Sequence, residues 1–157
     1  MQNLLHRYRL TLSLFILGLI LSGLTAFPLL IELRWLCDAL GVPASPPPGG
    51  LHHWLATVRN GVEATYAAYP WMGYGTDWLA FGHLVIAMFF IGPWREPVRN
   101  DWVLWVGLVA CALVIPLAFI AGAVRGIPWG WRIVDCSFGV FGAAPLLYCR
   151  HLARRMG

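Results

Sequence analysis

Ionisable side chains are scarce in this chain, and their placement is uneven. Glu32, Arg34, Asp38, Asp77, His83, Arg125, Arg132 and Asp135 all lie in or beside long apolar segments, each toward the end that the expected topology places on the outer side. A charged group in such a setting is expensive to desolvate and marks a functional site by default. Imidazole, carboxylate and guanidinium groups converging at one membrane face point to a polar pocket. Its expected ligand is a lipid, a quinone or a small periplasmic molecule, which the protein binds and, in the stronger form of this reading, converts. The candidate residues are His83, Asp77, Arg125, Arg132, Asp135 and Glu32.

His83 is the deepest of these. It follows Asp77 by six residues, about 9 Å along a helix axis, and sits on a different helical face. Arg132 and Asp135 are three apart and suit an intrahelical pair. A purely structural account is available for the same residues. In it Asp135 neutralises Arg125 or Arg132, and His83 bonds a neighbouring carbonyl.

The histidines also allow a b-type haem, which needs two axial side chains from different elements at one level. His6 and His151 stand near one membrane face, and His83 with His52 or His53 near the other. The opening Leu5-His6-Arg7-Tyr8-Arg9, followed by an apolar run ending Leu21-Ser22-Gly23-Leu24, resembles the first helix of b-type cytochrome membrane subunits over about twenty residues. The resemblance implies haem b and electron transfer. In that family the ligands lie within the spans, whereas His6 and His151 stand at span ends. No cofactor is required by the sequence itself.

Other chemistries find less support. His52, His53, Glu63 and His83 lack metal-ligand spacing, since His52 and Glu63 are three helical turns apart. There is no Cys-x-x-Cys pair for thiol exchange. Cys37 and Cys136 are the two cysteines placed for a single disulfide, while Cys111 and Cys149 read as packing residues. Walker, Gly-x-Ser-x-Gly and His-Glu-x-x-His motifs are absent.

The elements that must position these residues follow from composition. With 59% hydrophobic and 11% charged residues, the chain is too apolar for an ordinary soluble domain or a disordered one. About 20 apolar residues cross the hydrocarbon core as a helix. Four segments qualify, at about 10–36, 77–92, 102–124 and 131–152, the second being short. The expected fold is an all-α integral membrane domain over 1–157, a four-transmembrane-helix bundle. The N-terminal run continues through Leu29, Leu30 and Ile31, longer than a cleaved signal peptide, and reads as a signal anchor.

Orientation comes from arginine alone, because the chain has no lysine. Seven arginines (Arg7, Arg9, Arg95, Arg99, Arg150, Arg154 and Arg155) fall on the side of the termini, against four on the other. The positive-inside rule then places both termini in the cytoplasm, in a bacterial inner membrane. The net charge of +4 is thereby explained by topology and needs no nucleic acid. All nine tryptophans fall at one interface or the other in this arrangement.

Between the first two spans, a Pro- and Gly-rich linker over 41–50 precedes an amphipathic stretch at about 51–69. That stretch is expected to lie on the outer interface. Tyr69-Pro70 ends it, and Thr76 or Asp77 is positioned to cap the next helix. Gly18 with Ser22, and Gly139 with Ala143, form small-residue pairs suited to close helix packing. Pro28, Pro116 and Pro145 each remove a backbone donor. The bilayer is the expected partner, together with a membrane-protein partner or a second copy. Pocket protein, haem protein and non-catalytic subunit or assembly factor all stay open.

Overall fold

The computed structural model describes residues 2–157, and among these every regular element is a helix. In chain order they are α1 (Gln2–Ala26), α2 (Leu29–Ala39), α3 (Gly50–Ala68), a 3₁₀ turn (Pro70–Gly73), α4 (Tyr74–Phe89), α5 (Ile91–Arg95), α6 (Asp101–Val124) and α7 (Trp129–Arg154). Four stretches are long and apolar enough to cross a membrane: Gln2–Ala26, Pro70–Arg95, Asp101–Val124 and Trp129–Arg154. Their outward faces carry large apolar side chains. Leu14 is 62% exposed, Leu117 65% and Phe141 75%. Such continuous apolar exteriors suit hydrocarbon and not water.

Two boundaries differ from the sequence reading. The first apolar run is not one helix over 10–36: α1 begins at Gln2 and stops at Ala26, and α2 is separate. The cause is Pro28, which cannot donate a backbone hydrogen bond and stands as the N-cap of α2 with φ −87°. The second span is longer than 77–92. The 3₁₀ turn and α5 extend α4 at either end, giving 26 residues over Pro70–Arg95.

The chain divides into two compact units, whose boundaries fall within α1 and α4. One comprises the chain up to Gly18 together with Ile86–Gly157, and its framework is the α6–α7 pair. These helices approach closely at Gly139, where a methyl on the Cα would come within 2.5 Å of the Cys111 carbonyl oxygen. At Gly142 the same addition would lie 3.0 Å from Cys111 Sγ. The turn between α6 and α7 closes by a Schellman motif. Ile127 N–H donates to the Gly122 carbonyl at 2.8 Å and Gly126 N–H to Ala123 at 3.2 Å, with Gly126 at φ +69°.

The arginine-rich end of this unit is tied by polar contacts. The buried Tyr8 hydroxyl donates to the Pro93 carbonyl at 3.0 Å. Arg9 Nε donates to the Trp94 carbonyl at 3.3 Å and its guanidinium lies 4.8 Å over the indole. Trp94 Nε1 in turn donates to Ser13 Oγ at 3.0 Å. Arg150 pairs with Asp101 at 3.1 Å and lies 4.9 Å over Trp105. Each contact joins residues far apart in sequence, so together they fix the start of α1 against α5 and α7 against α6.

The second unit, Leu19–Val85, holds the end of α1, then α2, α3, the 3₁₀ turn and most of α4. Its small core is Cys37, Val42, Leu55 and Ala56. A second Schellman turn places Val42 there: its N–H donates to the Cys37 carbonyl at 2.8 Å, with Gly41 at φ +63°. Arg34 Nε meets Glu63 at 2.6 Å and links α2 to α3. α1 and α4 touch at Gly23, where a methyl would reach within 2.9 Å of the Ala80 carbonyl oxygen.

Candidate functional site

The six candidate residues divide between the units. Glu32, Asp77 and His83 belong to Leu19–Val85, and Arg125, Arg132 and Asp135 to the other unit. Within each, the side chains have different fates.

Arg132 has a structural position. Its Nε donates to the Ile127 carbonyl at 2.8 Å, and its stem lies against the open face of Gly122, where a methyl would stand 2.9 Å from Cγ and Cδ. The guanidinium also lies 5.6 Å from the Trp129 ring centroid. The expected Arg132–Asp135 pair is not formed, because Arg132 reaches back into the α6–α7 turn. Asp135 is half-buried on α7, and Arg125 is exposed as the C-cap of α6. Arg132→Ala is therefore expected to loosen this turn, destabilising the protein by about 1–3 kcal/mol through the Ile127 carbonyl left without its partner. Faster amide exchange at Gly126 and Ile127 would show it; unchanged exchange there would contradict it.

His83 likewise turns to its own helix: its Nδ1–H donates to the Leu79 carbonyl at 2.8 Å, and its Cβ lies against Gly23. Glu32 is exposed in the first turn of α2. His6, His151, His52 and His53 are all exposed on helix surfaces. All four cysteines are free thiols, so Cys37 and Cys136 are unbonded. Among the described residues no three His, Cys, Asp or Glu side chains are grouped to hold a metal ion.

Asp77 is different. It lines an open cleft of about 580 Å³ whose walls include Phe27, Tyr66, Trp71, Tyr74 and Thr76. It also borders an adjoining groove of about 330 Å³ lined by Phe27, Tyr74, Trp78 and Phe81. Phe27, Tyr74 and Asp77 are shared by both. Asp77 is half-buried as a residue, and its carboxylate has no hydrogen-bond or ion-pair partner among the described residues.

Local sequence explains this geometry. The Tyr69-Pro70 break and the 3₁₀ turn fold the chain sharply between α3 and α4. α4 starts at Tyr74, three residues before Asp77, so neither Thr76 nor Asp77 acts as the expected cap. Thr76 Oγ1 instead donates to the Gly73 carbonyl at 2.7 Å. Its proton is thus committed, and the Tyr66 hydroxyl donates to Thr76 Oγ1 at 3.4 Å. The Tyr66 ring rests on Gly73, where a methyl would lie 3.3 Å from Cζ. Tyr74, Trp78 and Phe81 follow along α4 as a ladder of edge-on rings, with centroid separations of 5.9 and 5.8 Å. Asp77 sits in the first turn of α4.

The aromatic members of this cleft were not singled out by sequence pattern as a site. Trp71 and Trp78 read only as interfacial anchors, and Tyr66 and Phe27 carried no signal. Compared with protein-family models, with curated proteins and with solved structures, the chain has no match in any of the three.

Proposed function

We propose that the protein is an integral membrane four-helix bundle that binds an amphiphilic, lipid-class molecule in the cleft around Asp77. The observation that carries this reading is the half-buried Asp77, its carboxylate without a partner among the described residues, on the wall shared by a polar-aromatic cleft and an apolar groove. The cleft volume falls in the range typical of small-molecule sites, about 300–1,000 Å³. Asp77, Thr76 and Tyr66 line the cleft, and the adjoining groove adds Trp78 and Phe81, which fits a ligand with a polar head and an apolar tail. By the positive-inside rule the arginine-rich ends face the cytoplasm, in a bacterial inner membrane, and the cleft faces outward. α3 then lies at the outer interface, exposing His52 and His53.

The test is native mass spectrometry of the full chain released from a neutral detergent. Wild-type protein should stay in membranes through an alkaline carbonate wash and fly with lipid-mass adducts. Trp78→Ala and Phe81→Ala should each lower those adducts several-fold while helix content is kept. Adducts that neither substitution changes would overturn the cleft as the site.

A further inference from the structure

Resting on the cleft reading above, we infer that the ligand's head carries an ammonium group. The cleft and groove contain one side chain charged at neutral pH, Asp77, and no arginine or histidine lines either of them. An anionic head would therefore meet a carboxylate with no cation to offset it. A neutral head would cover the Asp77 carboxylate without offering it a cation. An ammonium head satisfies both demands, because it pairs with the carboxylate in a cleft lined by the aromatic residues Tyr66, Trp71 and Tyr74, the residue types that attract such a cation.

The surrounding polar groups agree with this choice. Thr76 has given its proton to Gly73 and Tyr66 has given its own to Thr76. The two hydroxyl oxygens thus keep lone pairs, and lone pairs are what an N–H donor needs. Beyond Asp77 the Trp78 and Phe81 rings continue the wall in apolar form, in the direction a hydrocarbon tail would take. The shared chemistry is an ammonium beside a carboxylate in an aromatic surround, supplied either by an amine-headed lipid or by a free amine.

Native mass spectrometry decides it with matched probes. The full chain in neutral detergent is offered phosphatidylethanolamine, phosphatidylglycerol and diacylglycerol of equal acyl length. Phosphatidylethanolamine adducts should exceed the other two by about tenfold, and Asp77→Asn should remove that preference. Asp77→Glu, which keeps the charge, should retain it, so a misfolded Asn variant cannot mimic the result. Excess ethanolamine that displaces the adduct would identify a free amine as the natural source; persistence of the adduct would identify the lipid. If Asp77→Asn leaves the headgroup ranking unchanged, or phosphatidylglycerol binds best, the ammonium head is excluded while the cleft stands. If Trp78→Ala and Phe81→Ala leave all three adducts unchanged, the cleft itself is excluded and this inference with it.

Discussion

Gly139→Ala should weaken the α6–α7 pairing by about 1–3 kcal/mol, a large effect for one methyl group. The added carbon would stand 2.5 Å from the Cys111 carbonyl oxygen, which is backbone and cannot swing aside as a side-chain end can. Helix propensity runs the other way, favouring alanine over glycine by about 1 kcal/mol, so the sign of the result measures which effect dominates. Gly18→Ala supplies the control, since nothing lies within 4 Å of the added methyl there. It should be neutral or slightly stabilising. Unfolding in mixed micelles of rising denaturing-detergent fraction, followed by tryptophan emission, reads both variants. A Gly139→Ala protein as stable as Gly18→Ala would mean that α6 and α7 do not approach as closely as described.

That pair of glycines also shows how far sequence carries the fold. Gly18-Ser22 and Gly139-Ala143 give the same small-residue signal, yet among the described residues Gly139 has a helix against it and Gly18 has open space. The spacing says that close approach is permitted; it does not say which helix comes. Span count was legible because apolar length is a property of each segment alone. The break after Ala26 was less legible, because Pro28 inside an apolar run is compatible with either a kink or a new helix. Cys37 and Cys136, both assigned to one face by topology, are unbonded, since sharing a face does not bring two thiols within bonding distance.

The candidate site was legible in one residue. Asp77 and Arg132 both stand out in the sequence as charges in apolar surroundings, with His83, Arg132 and Asp135 favoured over Asp77, and burial alone cannot separate them. What separates them is the supply of backbone carbonyls. The Schellman turn after α6 presents the Ile127 carbonyl to Arg132, so that cation is satisfied locally. A carboxylate needs donors, and Asp77, in the first turn of α4, receives none from the described residues. The aromatic walls escaped notice because tryptophan and tyrosine at an interface are ordinary membrane anchors. Their convergence depends on the 3₁₀ turn that brings Trp71 and Tyr74 to the same cleft as Tyr66.

The second large effect is expected at the opposite end of the chain's polarity pattern, at Tyr8. This ring is fully buried in α1 between two charged neighbours, Arg7 and Arg9, and its hydroxyl donates to the Pro93 carbonyl. Tyr8→Ala should cost about 3–5 kcal/mol, combining the lost ring with the cavity left behind. Tyr8→Phe keeps the ring and removes only the donor, at about 1 kcal/mol. The ratio of the two separates packing from hydrogen bonding. Pro93 lies in α5, whose remaining ties to α1 are the Arg9–Trp94 and Trp94–Ser13 contacts. Tyr8→Ala should therefore also expose the Gly92–Arg95 backbone to amide exchange and shift the emission of Trp94. A Tyr8→Ala protein with native stability would show that this buried ring does not anchor α5.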